Sequence, residues 1–543
     1  MFPDGEDTDV LVVGAGPVGL ALAIELGHRG VRCRVVEKND RVGYAPRAKT
    51  TNVRTREHMR RWGIADRLRD ASPFGIDYPS NVVFATSLTG HLLARFENAL
   101  YCRPGRNPFY SEHSQWIPQY VVEEIMRAHA VELPGVEVRF ENELVDFRQD
   151  GEYVHARVRD LATGAVAEVR SRYLVGADGS RSTVREAIGA RMEGVRALSR
   201  NYNIVFRAPG LDRAHQLGPA IMYWLVNDVQ PCFVGPMDRG DKWAFMPTHV
   251  PQGVTRADFE SSSLIARALG VDMKFEILSS DEWAANRLIA TRYRDGRVFL
   301  AGDACHLHPP FGGYGMNMGV ADAVDLGWKI AATLQGWGGA ALLASYEPER
   351  RPVHQMVMDE AVANHGALSN QFSVPGLDAD DARGEALRKE IGARILAAKV
   401  REFDTLGVVL GYRYENSPIV VSDGSEPPPR HFRDYVPSAH PGCLAPHAWL
   451  ADGSSLYDHF GPGFTLLASP DADAADIDAV VRDAAAVRTP LAVLRPPAEV
   501  CALYGARYTL VRPDQHVGWR GDRFPEAPAV LLGRLTGRTA DSH

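Results

Sequence analysis

The chain has 543 residues, 45% of them hydrophobic and 24% charged, and a net charge of −8. That length holds roughly two to four domains with ample core, and the composition is that of an ordinary globular protein. The negative balance and the lack of a long basic run offer nothing to nucleic acid, and the longest apolar stretch, Val10 to Ile24, is shorter than the ~20 residues of a bilayer span. The opening Met1–Asp7 is acidic, unlike a secretory signal, so a cytoplasmic protein without membrane or nucleic-acid partners is expected. The six cysteines (Cys33, Cys102, Cys232, Cys305, Cys443, Cys501) form no CxxC pair, which argues against disulfides and zinc. His306 and His308 beside Cys305 lack further ligand-type companions in the local sequence, so no metal site is expected.

In chain order, Val10–Val13 reads as a buried strand, followed by Gly14, Gly16 and Gly19 around Pro17 and Val18. Gly14 permits the tight turn, Gly16 lets backbone approach a pyrophosphate, and Gly19 lets the next helix pack on the strand. Leu20, Ile24 and Gly27 continue the helical stripe, and a second strand, Val31–Val36, ends at Glu37 and Lys38. An acid roughly 20 residues beyond the glycines accepts ribose hydroxyls, as in FAD or NAD. Arg47 and Lys49 fall in the loop that follows, and Thr55–Arg69 carries a helical stripe of Met59, Trp62 and Leu68. Gln115–Gln119 enters a helix over Tyr120–Ala130. Strands follow at Val136–Phe140 and Leu144–Phe147, then a hairpin, Tyr153–Val158 with Val166–Tyr173. Leu174–Arg185 is a strand, a glycine turn at Asp178-Gly179 and a helix.

Residues 190–285 read as an inserted antiparallel sheet with strands at Tyr202–Phe206, Ile221–Val226, Pro231–Gly235 and Trp243–Met246. Tyr223, Trp224, Phe233 and Phe245 there are either pocket wall or core. The strand Arg297–Leu300 then runs into Ala301–Asn317, a segment with one apparently buried carboxylate, Asp303, then Pro309, Pro310 and glycines. A carboxylate accepting hydroxyls beside backbone N–H groups exposed by glycine suits a flat ring on a sugar or phosphate arm. In the helix after Asn317, Val320, Val324, Gly327, Ala331 and Leu334 share one face, with Asp322, Asp325 and Lys329 opposite. Another helix starts near Tyr346–Pro352 and a further one spans Asp380–Ala398. Beyond a Gly/Pro/Asp-rich linker lies a βαβ unit (Phe464–Ala468, Ala474–Ala486, Leu491–Leu494) with further strands at Tyr508–Val511 and Val517–Arg520.

The glycine fingerprint, Asp178-Gly179 and Gly302-Asp303, in that order over residues 9 to about 360, resemble the single-component flavoprotein aromatic hydroxylases of the p-hydroxybenzoate hydroxylase type. The linker and terminal unit are similar to the phenol hydroxylase, 2-hydroxybiphenyl monooxygenase and polyketide hydroxylase branch. That resemblance implies an α/β protein: a Rossmann-like FAD-binding domain over 1–189 (with substrate-domain strands at 80–110), a β-sheet substrate domain over 190–285, completion of the FAD domain over 286–400, a linker over 401–429, and a thioredoxin-like domain lacking CxxC over 430–543. It implies FAD on Gly14, Gly16, Pro17, Val18, Gly19, Glu37, Lys38, Arg47, Gln119, Leu144, Asp178, Asp303, Gly315, Met316 and Asn317, the helix N-terminus at Met316 and Asn317 favouring negative charge on reduced flavin. NADPH or NADH then reduces FAD, O2 adds at flavin carbon 4a, and the flavin hydroperoxide hydroxylates a phenolic or polyketide-type aromatic substrate. Substrate-side residues are Lys49, Tyr223, His308 and Pro310. A His of the biphenyl enzyme aligns with Lys49 and an Asp with Trp116, so the base is not inherited; Lys49 is either a phenolate partner or a loop salt bridge. Alternatives are a Baeyer–Villiger monooxygenase on the same fold and a non-catalytic flavin-binding protein, and a homodimer is among the expected assemblies.

Overall fold

The computed structural model describes residues 8–40, 49–250, 253–259, 262–525 and 528–538. Its first sheet is built on the unbroken aliphatic run Thr8–Val13, which pairs in parallel with Cys33–Val36 on one side and with Val166–Gly176 on the other. Val136–Arg139 and Val298–Leu300 extend the parallel part outward. Val154–Asp160 runs antiparallel to the start of the long strand Val166–Gly176 and carries Asn142–Gln149 beyond it. Helices Pro17–His28 and Tyr314–Leu334 cover this sheet, and their apolar faces join its buried strands in one core. Strands buried on both faces read as continuous aliphatic runs, which is why this part was legible.

The second sheet has eight strands, in the order His306–Leu307, Glu276–Ala290, Met192–Arg207, Lys242–Pro247, Cys232–Pro236, Met222–Leu225, Val82–Ala85 and Leu92–Phe96. It is antiparallel except where Met222–Leu225 meets Val82–Ala85. Two long strands, Met192–Arg207 and Glu276–Ala290, form its spine; the second is too polar to be read from its sequence. The sheet's first strand, His306–Leu307, follows directly from the Asp303 turn, so sheet and turn are locked in register by Leu288 with Leu307 and Ile289 with His306.

The expected helix over Thr55–Arg69 is two helices, Val53–Arg61 and Ala65–Asp70, broken at Gly63 with φ +76°. The long helix begins at Tyr314, earlier than expected. The polar stripe on that helix is buried rather than solvated: Asp322, Asp325 and Lys329 are 0–1% exposed, because the helix Tyr346–His365 and the C-terminal unit cover it. That unit has a sheet ordered Leu491–Leu494, Phe464–Ala468, Tyr508–Val511, Val517–Gly521, the first pair parallel and the others antiparallel. No described helix is long and apolar enough to cross a membrane.

Candidate active site

The glycine turn follows the first strand. Gly14 has φ +107° and a Cβ there would lie 2.4 Å from the Ala177 carbonyl oxygen. A Cβ on Gly19 would lie 1.9 Å from the Gly14 oxygen. Both positions therefore need glycine for packing. Gly16 differs, since a Cβ there meets nothing within 4 Å. It precedes Pro17 at the start of a helix whose N-terminus has no side-chain cap among the described residues. Open space before uncapped N–H groups fits a pyrophosphate. The half-buried Glu37 carboxylate accepts from the Ala15 N–H at 3.0 Å and the Asn39 N–H at 2.9 Å, which holds it beside the turn. Lys38 is exposed. Asn142 donates its N–H to the Glu37 carbonyl at 2.9 Å, so the strand carrying the buried Leu144 starts beside that acid. Gln119 opens a helix and donates to Glu123 at 2.7 Å. Arg47 lies outside the described residues.

Three distant segments meet at Val18. A Cβ on Gly302 would lie 2.7 Å from Val18 Cγ2, and one on Gly319 2.4 Å from the same methyl. Asp303 is exposed, not buried as its sequence suggested. It lies in the 3-10 turn Gly302–Ala304, directly after the strand Val298–Leu300, where an exposed carboxylate can meet an incoming hydroxyl. The long helix is preceded by Gly313 with φ +67° and has no side-chain cap among the described residues. Gly315 and Met316 are half-buried in its first turn. Asn317 is buried and its side chain is committed: it accepts from the Asn52 N–H at 3.0 Å and donates to the Thr50 and Gly313 carbonyls at 3.1 and 2.6 Å. It thus clamps the Thr50–Asn52 segment, next to Lys49, onto the helix start.

Asp178 accepts from the Val184 N–H at 3.1 Å, capping a helix turn, while its other oxygen is buried with no partner among the described residues. Burial raises its pKa against those hydrogen bonds. Arg185 joins this segment to the Asp303 turn by donating to the Ser180 and Ala304 carbonyls at 3.0 and 3.1 Å.

On the substrate side, side chains of the second sheet alternate between two faces. Met222, Trp224, Phe233 and Met246 share one cluster with Phe311 and Trp116. Tyr223 and Phe245 lie on the opposite face, in a separate cluster with Ile265 and Leu269. Tyr223 is therefore corrected from site residue to core: it is 1% exposed and its hydroxyl donates to the Gly218 carbonyl at 2.7 Å and accepts from the Ala220 N–H at 3.0 Å. Phe245 is core for the same reason. Met222, Phe233 and Trp283 keep partial exposure on the first face, so that face is a wall.

Lys49 stands at this wall, its Nζ 5.4 Å from the Phe233 ring centre and donating to the Pro236 carbonyl at 3.0 Å. Among the described residues it has no carboxylate partner, so the loop salt bridge is not what is found. Desolvation pushes its pKa down to about 7. Pro310 is exposed at the turn after Asp303, its carbonyl accepting from the Gly313 N–H at 3.1 Å. His308 is held neutral, its pKa pushed down to about 4 by burial and by His306. Its Nδ1 lies 2.9 Å from the Pro309 carbonyl, and its Nε2 is buried without a partner among the described residues.

Beneath the Asp303 turn lies a network that sequence reasoning missed. Asp322 accepts from the Gly302 N–H at 3.1 Å, His306 at 3.0 Å, Arg350 at 2.7 Å and His354 at 2.8 Å, and all these side chains are buried. The carboxylate stays ionised although burial opposes it, because His354, Arg350 and His306 surround it. Tyr293 lies 2.8 Å from His354 Nδ1 and completes the array. Cys305, His306, Asp322 and His354 offer ligand atoms within 4.8 Å of one another. Even so, four donors already saturate the carboxylate and the Arg350 guanidinium repels a cation. The signal available in the sequence was an acid one turn from Met318, on a helix face that the sequence pattern placed opposite the apolar stripe.

Residues 7–361 match the FAD binding domain family, and residues 438–539 match the C-terminal domain of aromatic-ring hydroxylases. The chain belongs to the FAD-dependent aromatic-ring hydroxylases. It is 33% identical to the tetracenomycin B2 monooxygenase-dioxygenase of Streptomyces olivaceus, over 98% of this chain and 99% of that one. It is 32–33% identical to several further relatives, among them the 2,4-dichlorophenol 6-monooxygenase of Delftia acidovorans at 33% over 99% of both chains. The solved structure of the rebeccamycin biosynthetic enzyme RebC with reduced flavin superposes with a TM-score of 0.90 at 36% identity, covering 98% of this chain and 99% of that one. This hydroxylase is a flavoprotein monooxygenase, and FAD is its cofactor.

Proposed function

We propose that this hydroxylase inserts one oxygen atom into a polycyclic phenol, with NAD(P)H and O2 as co-substrates. The observation that carries the reading is Lys49: a half-buried amine without a carboxylate partner among the described residues, set between the cofactor-side clamp of Asn317 and the aromatic wall at Phe233. Gly14–Gly19 would hold the pyrophosphate, Glu37 the adenosine ribose, Asp303 the ribityl hydroxyls, and the N–H groups of Gly315, Met316 and Asn317 the pyrimidine edge of the ring. Bound FAD supplies the redox chemistry that activates oxygen.

The chain's own part is positioning and proton handling. With a pKa near 7, neutral Lys49 Nζ takes the phenol proton and then holds the phenolate as an ammonium, which makes the ring electron-rich. Phe233, with Met222 and Trp283, supplies the apolar surface, and buried Trp224 and Phe311 back it and exclude water. Backbone carbonyls of the Pro309–Gly312 turn and neutral His308 offer hydrogen bonds beside the ring. The relative named for tetracenomycin B2 supports a substrate larger than a single phenol ring. The order of strands and helices in the terminal unit supports a thioredoxin-like relationship, without a redox role since Cys443 and Cys501 are its sole cysteines.

The test is direct. The protein should purify yellow, oxidise NAD(P)H faster when hydroxyanthraquinones or naphthols are added, and incorporate one atom of 18O2 into a ring-hydroxylated product. A polypeptide unable to take up FAD, or an unchanged rate across the phenol panel, refutes the reading. A lactone product assigns Baeyer–Villiger chemistry instead.

A further inference from the structure

The helix Ala382–Phe403 presents Ile391, Ile395, Lys399, Glu402 and Phe403 inward against the aromatic wall. Lys399 is 0% exposed, with its ammonium 4.6 Å from the Trp224 ring centre, 5.7 Å from Phe403 and 5.9 Å from Phe311. It donates to Glu402, one turn on, which is also buried. Desolvation offsets most of the Coulomb gain of such an isolated pair among aromatic rings, so it adds little to stability. Among the described residues Glu402 is the one acceptor the ammonium meets, so two of its three N–H groups are uncommitted. In the same cluster the Trp224 indole N–H is buried with no partner among the described residues. His365, 5.6 Å from Phe311 between ring centres, adds a neutral ring, since burial and Lys399 push its pKa down. Lys49 thus stands over Phe233 and Lys399 over Trp224, two rings whose centres lie 5.8 Å apart.

We propose that Lys399 is a specificity residue that receives an acid group of the aromatic substrate, with Glu402 as the internal stand-in that holds the ammonium before the substrate arrives. This rests on the phenol hydroxylase reading and adds the substrate class: an elongated aromatic acid with its phenol at Lys49 and its carboxylate at Lys399. The Trp224 N–H is the second donor for that carboxylate.

Binding is read from flavin absorbance changes on the holoenzyme with 6-hydroxy-2-naphthoate and its primary amide. The wild type should bind the acid at least about tenfold more tightly than the amide, the size of one charge-assisted hydrogen bond. Lys399→Met should erase that preference by weakening the acid alone, Lys399→Arg should restore part of it, and Glu402→Gln should strengthen the acid by removing its internal rival. FAD content and melting temperature report whether each variant is folded; if Lys399→Met is not, the Glu402→Gln and Lys399→Arg results decide. Equal binding of acid and amide by the wild type, equal weakening of both by Lys399→Met, or no response to either ligand overturns the acid site. Phenol-stimulated NAD(P)H oxidation judges the hydroxylase reading separately, since it survives with neutral phenols if only the acid site is wrong.

Discussion

Asp322→Asn isolates what holds the Asp303 turn in place. The native carboxylate accepts four hydrogen bonds, two on each oxygen, and one of the four donors is the guanidinium of Arg350, itself 0% exposed. An asparagine keeps one acceptor oxygen and turns an NH2 toward the other two donors, while Arg350 is left buried without its counter-charge. Breaking a buried pair from one side costs about 3–5 kcal/mol, and whichever donor pair meets the NH2, Gly302 N–H with His306 or Arg350 with His354, loses its acceptor as well. Urea unfolding followed by far-UV circular dichroism and by flavin fluorescence should show the midpoint falling, with flavin released before the global transition. Removing the stranded cation as well, in Asp322→Asn/Arg350→Met, should recover part of the loss, as expected when the cost is an unpaired charge. A single variant that loses less than about 1 kcal/mol and purifies with full FAD refutes the idea that this network positions the cofactor turn.

The glycines of the turn separate packing from binding: Gly16→Ala, whose methyl meets nothing within 4 Å, should fold normally yet purify with little FAD, whereas Gly19→Ala should destabilise the apoprotein; thermal melts and flavin content distinguish them. For Lys49, desolvated to a pKa of about 7, kcat/KM for phenol hydroxylation should rise with pH through that value as the amine loses its proton, and Lys49→Met should remove the rise while keeping FAD. Glu25 is buried, which opposes its charge, yet Arg61 and Arg29, with Trp62, hold its pKa down to about 2 from 4.5. Its stabilisation is therefore complete above pH 4.5 and lost as pH falls toward 2; Glu25→Gln should cost about 3 kcal/mol at neutral pH and flatten acid unfolding in that range, and a variant unfolding at the wild-type pH would contradict the assignment.

Aliphatic and glycine patterns made the cofactor half readable. Val10–Val13 can only be a doubly buried strand, and Gly14 and Gly19 sit where a Cβ would collide with backbone. What stayed hidden were long-range choices that no local period records. Tyr223 and Trp224 are adjacent and equally aromatic, and their opposite fates follow from the pleat of a strand whose register is set by Val82–Ala85, far away in sequence. Likewise Glu276–Ala290 is a strand because Met192–Arg207 pairs with it along most of its length, not because its residues prefer that state.

The helix Tyr314–Leu334 shows why such polar residues mislead. Asp325 and Lys329 look like a solvated face, but Arg512 of the terminal unit reaches them: it donates to Glu349 at 2.7 and 2.9 Å, to Asp325 at 3.2 Å and to Asp514 at 2.7 Å, while Lys329 donates to Asp325 at 2.8 Å and Glu349 at 2.5 Å. Three acids face two cations there: burial, against the pull of Lys329, raises the pKa of Asp325, whereas Arg512 and Lys329 outweigh burial at Glu349 and lower its pKa. A core this charged is stable only when every member is present. The C-terminal unit is thus an integral wall of the cofactor domain, since removing it would leave Asp325 and Lys329 on the helix Tyr314–Leu334, and Glu349 on the helix Tyr346–His365, facing water without Arg512.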